Sequence, residues 1–275
     1  MNNFFEGWYF KHQNKEDTLC FIPGISNENA FIQIITNEKS YNINFDKKEF
    51  QKEEIIKIHN NIFSFNGLKI DIKDPEMKIS GEINYENLTP LKSDVMGFFK
   101  YFPMQCRHGI ISMHHNLKGY IDINNQHIEF ADGLGYIEKD SGRSFPKNYI
   151  WIQSNDFKEK CSVIVSIADI PFVGFEFRGF ICAVWYQGKE YRMATYNGAK
   201  IISCTRNEVI IKNNKCRLEI YISGGNSHSL NAPSSGKMTR KISEMPSCKA
   251  TFRFFYKSDI LFDFDSEKTS CEFVQ

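Results

Sequence analysis

Two carboxylates one residue apart, Glu138 and Asp140, stand a short turn upstream of an aromatic and amide-bearing segment, Tyr149-Ile-Trp-Ile-Gln-Ser-Asn155. Side chains two apart on a strand project from the same face. Tyr136, Glu138 and Asp140 therefore share a face. After a turn around Gly142 and Pro146, so do Tyr149, Trp151, Gln153 and Asn155, while Ile150 and Ile152 line the other side. A strand that is aliphatic on one side and aromatic-polar on the other suits the wall of a ligand cavity. Two carboxyls turned into one cavity repel each other as anions, and burial disfavours the charged form. One of them is then expected to keep its proton near neutrality and to serve as a general acid. The competing structural reading pairs Glu138 with Arg143 or Lys139 at the turn and leaves Trp8 and Trp151 as core.

The elements that must position these groups read as strands throughout. Phe31-Ile-Gln-Ile-Ile-Thr and Ser40-Tyr-Asn-Ile-Asn-Phe flank a tight connection at Asn37. The same pattern recurs at Gly119–Phe130 around Asn124-Asn125, at Val209–Ile222 around Asn213-Asn214, and at Thr251–Phe264 around Ser258-Asp259. Short polar turns between β-branched or aromatic alternations predict antiparallel hairpins. Helical periodicity is confined to a turn or two around Leu91–Phe99. The fold class expected is all-β, with barrel or sandwich architecture, divided near residue 145 into domains 1–145 and 146–275. Gly224–Ser247, rich in Ser, Gly, Pro and Lys, reads as a long loop, either a lid or a mobile surface segment.

Composition narrows the function classes. In 275 residues, 41% are hydrophobic and 25 are Phe, which is ample for a substantial core. A net charge of +1 offers no electrostatic reason to expect nucleic acid or an anionic surface as partner. No apolar segment escapes interruption by charge, since Asp169, Glu176 and Arg178 break the richest one, so no membrane-spanning segment is expected. The N-terminal stretch lacks the pattern of a signal peptide. The 8 cysteines (20, 106, 161, 182, 204, 216, 248, 271) form no C-x-x-C pair and read as reduced thiols of a cytoplasmic protein.

Several stretches resemble the tocopherol cyclase family. They are Glu6-Gly-Trp-Tyr-Phe-Lys, Met96-Gly-Phe-Phe-Lys-Tyr-Phe-Pro-Met-Gln-Cys-Arg-His-Gly-Ile-Ile-Ser-Met, Gly135-Tyr-Ile-Glu-Lys-Asp, Gly142-Arg-Ser-Phe-Pro and Trp151-Ile-Gln-Ser-Asn. Weaker matches are Met193-Ala-Thr-Tyr-Asn-Gly and Leu230-Asn-Ala-Pro. The chain is more distantly similar to carotenoid hydratases and lipocalin-like pericyclases. The resemblance implies two lipocalin-like (calycin) β-domains and a hydrophobic small-molecule ligand. It also implies a cofactor-free, acid-promoted cyclisation, in which a prenyl double bond is protonated and a phenol oxygen captures the tertiary cation. On that reading Glu138 and Asp140 supply the acid, and Trp8, Tyr9, Tyr136, Tyr149 and Trp151 surround the cation, each face worth roughly 0.5–2 kcal/mol. Gln153 and Asn155 hold an oxygen, and His108 orients one. One departure stands out: Ser141 occupies a position where the family usually carries Trp, which would remove an aromatic wall if that Trp met substrate.

Other constellations carry less. His108 and His114 share a strand face while His115 points away, and no Cys or carboxylate completes a set along that segment, so no metal is expected. Lys237, Arg240 and Lys241 read as a solvated basic surface. Gly224-Gly225 has no phosphate-loop context, and Ser141-Gly142 lacks the strand–turn–helix of a nucleophile elbow. The leading expectation is a cyclase- or isomerase-type enzyme. The alternative is a lipocalin-like carrier that holds a hydrophobic molecule without altering it.

Overall fold

The computed structural model describes residues 4–172 and 174–275. The first three residues of the N-terminal stretch read above lie outside them. The fold is all-β and lipocalin-like, with two antiparallel sheets of twelve and ten strands. Among the described residues there is no α-helix, and no helix long and apolar enough to cross a membrane.

Each expected hairpin is present. Ala30–Ile35 pairs with Ser40–Phe45, Cys106–Ile123 with Gln126–Glu129, Glu208–Lys212 with Cys216–Gly225, and Lys237–Tyr256 with Asp259–Val274. Asn124, at φ 54°, supplies one of the left-handed turn positions that its short amide side chain tolerates. Two expectations are corrected. The helical signal at Leu91–Phe99 is only a 3-10 helix, Gly97–Tyr101, which begins where Gly97 takes φ 58°. Gly224–Ser247 is no irregular loop. It is mostly the strands His228–Ser234 and Lys237–Tyr256, hydrogen-bonded as a hairpin through Ser235-Gly236. The polar composition reflects an edge that alternates into solvent, and composition alone does not report alternation.

The chain forms two compact units that interleave in sequence. The first comprises 1–90, 108–145 and 230–241, and the second 91–107, 146–229 and 242–275. We retain the division near residue 145 as a proposal about independently folding domains.

In the first unit the sheet runs in the order Ser40–Phe45, Ala30–Ile35, Thr18–Ile25, Phe5–Gln13, Gly133–Gly142, Cys106–Ile123, Met77–Glu86, Gly67–Asp74 and onward to Phe50–Lys52. One face encloses a core that includes Trp8, Phe10, Phe21, Ile32, Phe63, Leu117 and Ile137. The tip of the 228–256 hairpin belongs to this unit. Asn231 exchanges two hydrogen bonds with the Gln33 side chain, at 2.8 and 2.9 Å, and Gly236 N–H donates to the Arg143 carbonyl at 2.6 Å. In the second unit, Ile150, Ile152, Val163, Cys182, Ile220, Phe252 and Phe262 build a separate core. All eight cysteines are free thiols, six of them buried.

The first core is not wholly apolar. His12 Nδ1 lies 3.2 Å from the Leu19 carbonyl and Nε2 2.7 Å from the Tyr85 hydroxyl. A carbonyl only accepts, so Nδ1 carries the hydrogen and Nε2 accepts from Tyr85. The His115 ring leans on Tyr85 at 4.7 Å and fits over Gly135, where a Cβ would come within 2.1 Å of Nε2. Burial pushes the His12 imidazole down to about 3. Burial, together with His12 and His114, pushes His115 well below its ordinary value.

Both imidazoles are neutral in the folded state, whereas unfolded histidine protonates near 6.5. The unfolded chain therefore binds more protons below that pH. Stability is complete above it and declines as pH falls from about 6.5 toward 3. Urea unfolding is expected to lose up to about 1.4 kcal/mol per pH unit for each such histidine across that window. His12→Gln should unfold more easily at pH 7 yet show a shallower pH slope. An unchanged slope would exclude His12 as a source.

Candidate active site

Pairing of Phe5–Gln13 with Gly133–Gly142 sets Tyr9 opposite Glu138, Gly7 opposite Asp140 and Lys11 opposite Tyr136. Directly opposed residues in an antiparallel ladder leave the sheet on the same side. Tyr9, Lys11, Tyr136, Glu138 and Asp140 therefore share one face. Trp8, Phe10, Ile137 and Lys139 occupy the other, toward the core. The acid-bearing face is nonetheless largely buried: Lys11 and Tyr136 are fully buried and Glu138 is 5% exposed, while Asp140 is partly exposed.

The strand Cys106–Ile123, next in the sheet, adds His108 to this group. The Tyr136 hydroxyl donates to Glu138 Oε2 at 2.5 Å. His108 Nε2 lies 3.5 Å from the same oxygen, and its Nδ1 lies 3.0 Å from Asp140 Oδ1. The result is a linear array, Tyr136–Glu138···His108–Asp140. Asp140 accepts from Nδ1–H, which fixes the ring orientation and turns Nε2 toward Glu138. Burial, then Glu138 and Asp140, pushes the Tyr136 phenol well above its ordinary value, so it stays a hydrogen-bond donor. Close by, the Tyr9 hydroxyl lies 3.1 Å from Cys20 Sγ. The Phe31 ring packs on Gly24, where its Cζ comes within 2.4 Å of where a Cβ would sit.

His108, Glu138 and Asp140 each offer a ligand-capable atom, all within 4.8 Å of one another. The cross-strand partner supplies the carboxylates that spacing along the histidine segment lacks. As they stand, the two carboxylates address different nitrogens of one ring. An imidazole binds a given ion through a single nitrogen, so the arrangement serves proton handling better than chelation.

On the core side, the ammonium groups of Lys52 and Lys139 sit 5.2 and 5.1 Å from the Trp8 ring. Both lysines bond Glu6 Oε1, at 2.7 and 2.5 Å. Burial would raise the Glu6 carboxyl, but Lys139 and Lys52 outweigh it and hold the group below its ordinary value. Trp8 thus does not join Tyr9 beside the acids. Ser141, paired with Glu6, follows the same alternation. A Trp at 141 would face Trp8 and the lysines, not the carboxylates, and its replacement leaves the acid-bearing face intact.

The second unit holds the remaining expected residues together. Tyr149, Trp151 and Gln153 share the face of Tyr149–Ser154 opposite Ile150 and Ile152, all of them buried. Asn155, just beyond the strand, accepts from Gln153 Nε2 at 3.4 Å. The Tyr149 hydroxyl donates to Glu272, which stands directly opposite the fully buried Glu244. Sequence reading passed over Lys11, Cys20, Glu244 and Glu272. Lys11 lies in the Glu6–Lys11 segment, where alternation from Tyr9 places it; the others require the strand pairing.

The profile of the family described as tocopherol cyclase-like matches residues 73–210, half of the chain. The chain belongs to that family. Its match contains His108, Tyr136, Glu138, Asp140 and the whole Tyr149–Asn155 segment, while Trp8, Tyr9 and Lys11 fall outside it. Among solved structures, the chain is similar to CghA crystallised with Sch210972 (TM-score 0.62, 6% identity, 99% of this chain and 89% of that one). It is also similar to kievitone hydratase from Nectria haematococca (TM-score 0.57, 9% identity, 100% and 89%). A third is an AttH-type protein of Nitrosomonas europaea (TM-score 0.55, 9% identity, 98% and 93%). At such identities the likeness establishes the shared fold.

Tyr136→Phe removes the donor to a buried carboxyl and is expected to cost about 1.5–3 kcal/mol in denaturant unfolding. A loss under about 0.5 kcal/mol would show that the phenol–Glu138 bond contributes little in solution.

Proposed function

We propose that this member of the tocopherol cyclase-like family is a cofactor-free enzyme that isomerises a hydrophobic, prenylated or polyene-type small molecule by protonating an alkene. The observation that carries the reading is the array of Glu138, His108 and Asp140, with Tyr136 holding Glu138 Oε2. Family membership and the likeness in fold to a hydratase support it.

In the cyclising form of the reaction, the Glu138 carboxyl gives its proton to the less substituted alkene carbon. The π pair forms the new C–H bond and leaves a tertiary cation. Tyr9 and Tyr136 present aromatic rings on the same sheet face, where such a cation gains about 0.5–2 kcal/mol per face. A phenol oxygen of the substrate attacks the cation and forms the C–O bond, and its proton passes to His108 Nε2. From there it returns to Glu138, 3.5 Å away. One proton enters and one leaves, so product and substrate are isomers and no redox partner is consumed. Asp140 keeps the ring turned so that Nε2 makes both transfers. In the second unit, Tyr149, Trp151, Gln153 and Asn155 form a separate aromatic and amide-bearing surface, to which we assign binding of a hydrophobic small molecule. With eight free thiols, the reaction belongs in the cytoplasm.

The test begins with small molecules that co-purify with wild type and with Glu138→Gln, identified by mass spectrometry. The variant is expected to trap an isomer of what the wild type holds. Turnover of that isomer in deuterium oxide should place one deuterium on carbon. Glu138→Gln and His108→Gln should each lose about 10²–10⁴-fold in rate, and Asp140→Asn should fall mainly in kcat. The same compound on both proteins, with no deuterium incorporated, would replace the enzyme with a carrier.

A further inference from the structure

Two thiols of the second unit stand within reach of a bond. Cys248 Sγ lies 3.3 Å from Cys271 Sγ, and both side chains are buried in the second core. The two residues are 23 apart in sequence, and no C-x-x-C spacing marks either one.

Strand register brings them together. Met245 stands opposite Cys271 and Cys248 opposite Thr269, so three steps along Lys237–Tyr256 are matched by two along Asp259–Val274. The extra residue is a β-bulge. In a regular ladder Ser247 would stand opposite Thr269, and Cys248 would leave the sheet on the side away from Cys271. The bulge turns Cys248 to the face that Cys271 occupies. A second break in register follows between Cys248 and Ala250. Pairing is therefore interrupted on both sides of Cys248, which lowers the cost of the local opening that a small oxidant needs to reach a buried sulfur. On its other edge Cys271 pairs with Ile152, in the strand that carries Tyr149 and Trp151. A disulfide holds its sulfurs at about 2.05 Å, so an approach of about 1.3 Å closes the gap.

We propose that Cys248 and Cys271 form a reversible dithiol–disulfide couple oxidised by hydroperoxides. One sulfur, as thiolate, attacks a peroxide oxygen. The O–O bond breaks, water leaves, and that sulfur becomes a sulfenic acid. The second sulfur attacks the first, the S–O bond breaks, and a second water leaves as the S–S bond forms. The two thiols give up two electrons, and one hydrogen peroxide is reduced to two waters. In a reducing compartment the pair stays as thiols until oxidant arrives, the setting in which a cytoplasmic disulfide is transient and redox-sensing. The bond would staple the strand Asp259–Val274 to its hairpin partner. The inference rests on the sulfur geometry and stands whether or not the acid array is catalytic.

The test uses the full chain, reduced, freed of reductant and titrated with hydrogen peroxide. Catalase then removes the oxidant before the protein is denatured, alkylated and measured by intact mass and peptide mapping. Two of the 8 thiols are expected to escape alkylation, with one cross-linked peptide joining Cys248 to Cys271, and dithiothreitol should restore all of them. The oxidised protein should melt about 5 °C or more above the reduced form, because the bond constrains the unfolded chain. Cys248→Ala and Cys271→Ala should each abolish the cross-link and the shift together. The wild-type peptide map decides the question even if a variant folds poorly. Wild type that keeps every thiol alkylatable at a peroxide dose that fully oxidises glutathione overturns the proposal. Oxidation that ends at sulfinic acid, or that joins other cysteines, overturns it as well.

Discussion

The first unit depends on one ladder, the antiparallel pairing of Phe5–Gln13 with Gly133–Gly142, which joins segments more than a hundred residues apart. Its register decides what each side of the sheet does. With Tyr9 opposite Glu138, all odd-numbered residues of 137–141 turn to the core with Trp8 and Phe10. The even-numbered residues turn to the buried polar face with Tyr9 and Lys11. A slip of one residue would exchange these sets, placing carboxylates in the core and Phe10 among them. The penalty for burying those charges unpaired is what holds the register.

Both faces of that sheet bury titratable groups, and the two are handled differently. On the core side, His12 and His115 are kept neutral by burial, and the hydrogen bonds of His12 are satisfied by a carbonyl and a phenol. On the opposite side, the imidazole of His108 lies between two carboxylates. Glu6, Lys52 and Lys139 form a third arrangement, in which a single carboxylate is saturated by two ammonium groups beside Trp8. Of the three, only the histidine–carboxylate array sets one imidazole against two carboxylates. That difference in environment, more than the residue types, is the ground for the acid chemistry proposed there.

The second unit repeats the division between an aliphatic side and a polar side on the strand Tyr149–Ser154. There the polar side faces Glu272, which pairs with Glu244 on the preceding strand of the same hairpin. Opposed carboxylates on adjacent strands are unfavourable as a pair of anions, and the Tyr149 hydroxyl is turned to one of them. The family match spans the Tyr149 segment but ends before both glutamates.

Much of this was legible in the sequence. Alternation at period two named the strands, Asn-rich turns named the hairpins, and the spacing of Tyr136, Glu138 and Asp140 put them on one face, because these features depend only on local backbone geometry. The same local rule, carried through Glu6–Lys11, would have separated Trp8 from Tyr9 and shown that position 141 faces away from the acids. Which strands lie side by side was not available from the sequence. His108 reaches Asp140 across 32 residues, Asn231 reaches Gln33 across 198, and the hairpin at 228–256 was hidden behind a loop-like composition. Local propensity and periodicity determined the strands and the facing of their side chains. The convergence of acid, imidazole and phenol was decided only by tertiary structure, since it depends on burying two faces of one sheet at once and therefore on long-range register.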